Sequence, residues 1–174
     1  MKNYTIHLNS NDRLPSSVGV ADCDFVVRMS GEKLKKGQLF IQSLVIDSSP
    51  TGPVDFANIN AIEVKSRSFQ DSCSWNSNTN KKDVIAHITN QFSINNLQDF
   101  RYTGAVTYQD IGFPVQNVDF SDLLLNVQIS SDDEVALTGN YHWHATLIFR
   151  EDSQRESLVT YDKYESNYLN DNSF

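Results

Sequence analysis

The stretch that most restricts what this chain can fold into is residues 141–150, YHWHATLIFR, where large apolar and polar side chains alternate without a break. In an extended chain Tyr141, Trp143, Ala145, Leu147 and Phe149 fall on one side, and His142, His144, Thr146, Ile148 and Arg150 on the other. A helix would scatter them around its axis, so the period of two and the residue types specify a half-buried strand. Upstream, Leu123, Leu125, Val127 and Ile129 repeat the pattern across a turn-rich interval. Residues 122–150 are therefore expected to form a β-hairpin, with the remaining strands packed around it.

Earlier parts of the chain read the same way. Tyr4, Ile6 and Leu8 give an opening strand that stops in the polar, proline-containing stretch 9–19, and residues 24–29 give a second. After a turn over 31–37, Leu39, Ile41, Leu44 and Ile46 supply a longer apolar strand, ended by the two prolines and the glycine of SSPTGP. Ile62 and Val64 share a face of a fourth strand, and 83–89 is a fifth. Residues 71–82 lack any period and read as a loop, 95–102 as a helical turn, 104–108 as a weak strand, and 110–120 as a connection whose Phe113 and Pro114 cover a sheet edge. About eight short strands with no βαβ rhythm predict an all-β, antiparallel two-sheet β-sandwich, for which an eight-stranded jelly roll is the natural form. The expected division is a sandwich over residues 1–150 and a polar C-terminal arm or tail over 151–174. In that tail Ser153 and Glu156 match a capping box, while Leu158, Tyr161, Tyr164, Tyr168 and Leu169 suit one side of a short helix; an extended arm fits equally.

A length of 174 residues is enough for one domain to bury a full core without disulfides or metal. Fourteen basic against twenty-two acidic residues give a formal charge of −8, the wrong sign for gripping a phosphate backbone or an anionic membrane, so direct nucleic-acid binding is not expected. Lys33, Lys35 and Lys36 form the one basic cluster and read as a solvated turn. No segment is apolar over a bilayer-spanning length, and the N-terminal sequence has no signal-peptide core, which makes the cytoplasm the expected place of synthesis. Cys23 and Cys73, the two cysteines, are too sparse for a disulfide framework or a zinc site and are expected as free thiols.

Candidate chemistry is thin. His142 and His144 place two imidazoles on one strand face, the spacing that cupins use for metal. The cupin pattern also needs a carboxylate four or five positions later, where this chain has Ile148 and Phe149, and a third histidine from a later strand. Neither a metal site nor a cofactor is therefore expected. Glycine-rich phosphate loops, a GxSxG elbow and a cysteine with a nearby histidine are all missing from the sequence, so no catalytic residues are assigned. Asp132, Asp133 and Glu134 read as a solvated hairpin tip. Trp75, Tyr102, Tyr108 and Trp143 are the aromatics from which a sugar platform would be built, although core packing is the commoner fate of such residues.

In order, YTIHLNSNDRLPSS, DFVVRM and GQLFIQSLVIDSSP resemble the opening of small single jelly-roll capsid proteins of virophages, Polinton-like viruses and giant DNA viruses. There a strand gives way to a Ser-x-Asp-Arg turn, here Ser10, Asp12 and Arg13. An Asp-Phe-x-Val strand comes next, here Asp24, Phe25 and Val27, and then a long apolar strand ending in a proline turn. The likeness covers about the first fifty residues; the segment after Arg150 has no counterpart. It implies a non-enzymatic subunit of an icosahedral virion, either a penton protein or a minor capsid protein. Its implied partners are copies of itself, such as a ring of five, and other capsid proteins. Ser10, Asp12 and Arg13 at one end and Tyr161, Tyr164 and Tyr168 at the other are the expected contact residues. The alternative reading is a carbohydrate- or receptor-binding jelly roll with Trp75 as its ligand platform.

Overall fold

The computed structural model describes residues 2–29, 34–56, 59–69, 84–89, 99–104, 112–131 and 137–152. They form a β-sandwich of two antiparallel sheets: β1 (Lys2–Asn9), β2 (Asp22–Val27), β3 (Leu34–Ser48), β4 (Ala61–Lys65), β5 (Val84–Thr89), β6 (Asp99–Thr103), β7 (Phe113–Asp119), β8 (Leu123–Ser131) and β9 (Tyr141–Glu151). The described residues contain no α-helix. One sheet runs β1-β9-β3, with β7 and then β6 one after the other along the far edge of β3; the other runs β2-β8-β4-β5. Pairing is nested, first strand with last, β2 with β8, β3 with β6 and β7, and β4 with β5. That is the pairing of one long antiparallel ribbon, rolled so that its successive arms fall in alternate sheets.

Residues 122–150 do not form a hairpin. The strand β8 pairs with β2 and β4, whereas β9 pairs with β1 and β3, so the two arms lie in different sheets. Alternation reports which face of a strand is buried, not which strand lies beside it. The two apolar faces do meet, but across the sandwich, where Leu125, Val127 and Ile129 share one core with Trp143, Leu147 and Phe149. Within that core the rings of Phe25 and Trp143 meet edge to face at 5.7 Å, and those of Phe120 and Phe149 lie 4.8 Å apart.

The odd spacing of Leu39, Ile41, Leu44 and Ile46 has a direct cause. In the pairing with β9, Ile41 lies opposite Leu147 and Ser43 opposite Thr146, so Gln42 is an extra residue in a β-bulge. The bulge shifts the phase by one and keeps all four apolar side chains in the core. The Gln42 carbonyl accepts a hydrogen bond from Gly104 N at 2.8 Å, which satisfies the displaced backbone.

Several expectations change. Residues 34–37 are strand rather than turn: Lys36 is exposed within β3, and Lys33 lies outside the described residues. Gly37 sits where a side-chain Cβ would overlap the Arg150 carbonyl oxygen, a close approach only glycine permits. Of the expected helical turn, 99–102 belongs to β6, where Phe100 is buried opposite Ile46; so short a segment has no helical nucleus to resist pairing. Residues 95–98 lie outside the described residues. The expected connection 110–120 contains β7, which buries Phe113 and Val115 and sets Pro114 on an edge strand, the position in a sheet that tolerates proline. The second strand begins and ends two residues early, at Asp22 and Val27. The loop 71–82, residues 105–108 of the weak strand, Cys73 and the tail from 153 on are also outside the described residues.

Candidate protein-contact site

An open sandwich leaves strand edges, and here β1 and β2 run along the same side of the molecule. Their backbones, with the chain just beyond β2, enclose a groove of about 650 Å³, lined by residues from Asn3 to Asn9, Asp12, and residues from Phe25 to Met29. In an antiparallel strand successive residues direct their N–H and C=O alternately to the two sides. Asp22 exchanges hydrogen bonds with Gly19, and the Asp24 carbonyl accepts from Leu14 N at 2.8 Å, so even-numbered residues of β2 point away from β8. Asp24 N donates to Ser17 Oγ at 2.9 Å on the same outer side. Half of this edge is thus covered by the chain's own residues 14–19. Val26 has the same parity with no register shift, so its N–H and C=O face the groove. The corresponding outward groups on β1 belong to Asn3, Thr5 and His7, because Trp143 N, which faces β1, bonds beyond its end to Ser10.

Two of the exposed large apolar side chains flank this edge: Val26 and Leu124, 45% and 54% exposed, lie directly opposite each other on β2 and β8. A half-buried strand should not carry them. The triplets Phe25-Val26-Val27 and Leu123-Leu124-Leu125 each hold one apolar residue out of phase, which is the signal in the sequence that marks the site. Beside them the outer face of this sheet is strongly polar. Arg67 reaches both carboxylate oxygens of Asp22 at 2.9–3.0 Å, while Asn126 Nδ2 donates to Asp22 at 2.7 Å and to Asp24 at 2.9 Å. These groups satisfy one another.

Ser10 and Asp12 lie on a 3-10 turn, Ser10–Asp12, that carries the chain from β1 toward β2, and Arg13 caps its end in an extended conformation. Ser10 is fully buried and its hydroxyl accepts from Trp143 N at 2.9 Å, so its side chain is spent inside the fold. Arg13 donates to the Ser10 carbonyl at 2.7 Å, and Asp12 borders the groove. Ser10→Ala leaves a buried N–H without its acceptor and is expected to lower stability by roughly 1–3 kcal/mol in urea unfolding. Trp143 is buried too, with its indole N–H donating to the Val20 carbonyl at 2.6 Å, which removes it from any sugar platform.

His142 and His144 are exposed on the outer face of β9, where His144 Nε2 lies 3.8 Å from Asp47. No group of three or more His, Cys, Asp or Glu among the described residues could hold a metal ion. Cys23 is a free, buried thiol near the Gly19 and Val20 carbonyls, at 3.3 Å from each. Burial pushes it up to about 11, against the nearby Arg13 charge, so near neutral pH the thiol stays protonated. Trp75, Tyr161, Tyr164 and Tyr168 lie outside the described residues. No helix among the described residues is long and apolar enough to cross a membrane. Neither a protein-family model nor a curated protein matches the sequence.

Proposed function

We propose that this chain is a structural virion protein: a single jelly-roll subunit of an icosahedral DNA-virus shell, of penton or minor capsid type, working through protein–protein contacts. The observation that carries the reading is the nested strand pairing. Rolling one long antiparallel ribbon into two four-position sheets yields the orders β1-β9-β3-β6 and β2-β8-β4-β5, and these orders support reading the sandwich as a jelly roll of two Greek keys. The opening motif of residues 4–50 supports it from the sequence side. The net charge of −8 favours protein over nucleic acid as the partner inside a shell.

A penton subunit is built to close with copies of itself through heterologous contacts around a five-fold axis. Purified protein measured by native mass spectrometry is expected to show a closed ring of five. A monomer at every concentration would remove the penton role. If that monomer also bound glycans and lost them on Trp75→Ala, the virion reading would fall to the carbohydrate-binding one.

A further inference from the structure

The open edge at Val26 lies where the chain's own C-terminal segment is delivered. At one end of β9, Trp143 packs on Phe25 and bonds Val20; at the other, Phe149 packs on Phe120, whose carbonyl accepts from Met29 N at 2.8 Å. Thus β2 runs in the same sense as β9, and its uncovered half lies beside the end of β9. There Glu151 stands opposite Lys2, next to Asn3, where the groove's other wall begins, and Asp152 N is held by the Lys36 carbonyl at 2.9 Å. From Asp152 the chain has to cross the space between packed sheets, about 10 Å, and step sideways by one strand spacing of about 4.8 Å, together about 11 Å; four extended residues, 153–156, reach about 13 Å. The next five residues are Ser157-Leu158-Val159-Thr160-Tyr161, the strand-favouring part of a segment in which residues 153–174 contain neither proline nor glycine.

We infer that residues 157–164 of this same chain add as an antiparallel strand to the open edge of β2 at Val26, laying their apolar side chains over Val26 and Leu124. A chain returning from the end of β9 runs against β2, the direction antiparallel addition requires. It continues the edge that residues 14–19 already cover and buries the apolar pair that the sandwich leaves in solvent. Unlike the virion reading, this inference concerns the isolated subunit and stands or falls without it.

Hydrogen exchange on the full-length protein tests it. The alternate amides within residues 158–162 that face β2 are expected to exchange at least about ten-fold more slowly than in a free peptide of the same sequence, at a rate independent of protein concentration. Val26→Pro removes an N–H that faces away from β8, so it should return those amides to the free rate while β8 and β9 keep their protection. Leu124→Asp, which leaves the backbone intact, should weaken protection in the same residues. Free-peptide rates in the unsubstituted protein would overturn the inference, as would protection unaffected by both variants. Protection that appears only with a dimer or ring mass and is lost in the dilute monomer would also overturn it, in favour of another copy supplying the strand.

Discussion

Trp143→Ala is expected to lower the unfolding free energy by about 4–5 kcal/mol. Truncating a buried tryptophan to alanine costs roughly 3–5 kcal/mol in lost burial and cavity formation, and Trp143 is fully buried. The substitution also deprives the Val20 carbonyl of its indole donor, 2.6 Å away, and Phe25 of its edge-to-face partner at 5.7 Å; a lost hydrogen bond of this kind is worth about 1 kcal/mol. Against a typical total of about 5–15 kcal/mol, most of the margin can disappear. Urea unfolding should show the midpoint falling steeply, with Trp143→Phe losing roughly half as much because a ring remains against Phe25. The residue joins three parts of the chain: β9, the turn after β1 through Ser10, and the approach to β2 through Val20. A loss below about 1 kcal/mol for the alanine variant would mean that this junction does not hold the two sheets together.

The same residue shows why some of the fold was legible in the sequence and some was not. Alternation in 141–150 placed Trp143 on a buried face because a strand's period is local, set by one stretch of backbone. It could not name the partner strand, and the apolar arm 123–131 therefore looked like the other half of a hairpin although it faces β9 across the core. Partner choice is a long-range property of the rolled ribbon, in which Lys2 meets Glu151. The β-bulge at Gln42 left a readable trace, the phase slip between Ile41 and Leu44, whereas β7 was hidden by Pro114. A proline argues against a central strand, but it sits readily on an edge, and only the sheet shows which strands are edges.

The candidate site was partly legible. Ser10, Asp12 and Arg13 stand out in the sequence by their motif, and the structure gives Ser10 an internal task, accepting the Trp143 N–H. Val26 and Leu124 leave only a phase break in their apolar triplets, and such a break turns into a contact surface only once β2 is known to be an edge. The open backbone at Val26 is likewise invisible in sequence, since parity becomes meaningful only once Asp22 and Asp24 are seen bonding to the 14–19 segment.

Alkaline pH should destabilise this protein through two neighbouring acids in its core. Burial pushes Cys23 from 9.0 up to about 11, and burial, reinforced by Cys23, pushes Tyr141 from 10.0 up to about 12. At pH 8 both groups are protonated whether the chain is folded or not, and they add no pH dependence. Above pH 9 the unfolded chain releases the Cys23 proton while the folded one retains it. The unfolded state then binds fewer protons, and stability falls as pH rises, by about 1.4 kcal/mol per unit until the folded group also ionises near 11. Tyr141 repeats this between 10 and 12, so each group removes about 2–3 kcal/mol. Tyr141 also supplies the discriminating variant. Its hydroxyl is buried with no hydrogen-bond partner among the described residues, so Tyr141→Phe should be neutral or mildly stabilising at pH 7. Above pH 10 the same substitution should flatten the decline, and Cys23→Ala should flatten it from pH 9. Urea midpoints at pH 8, 10 and 11 for the three proteins decide the matter: a Tyr141→Phe variant that weakens with pH as steeply as its parent would place the titrating hydroxyl somewhere other than this core.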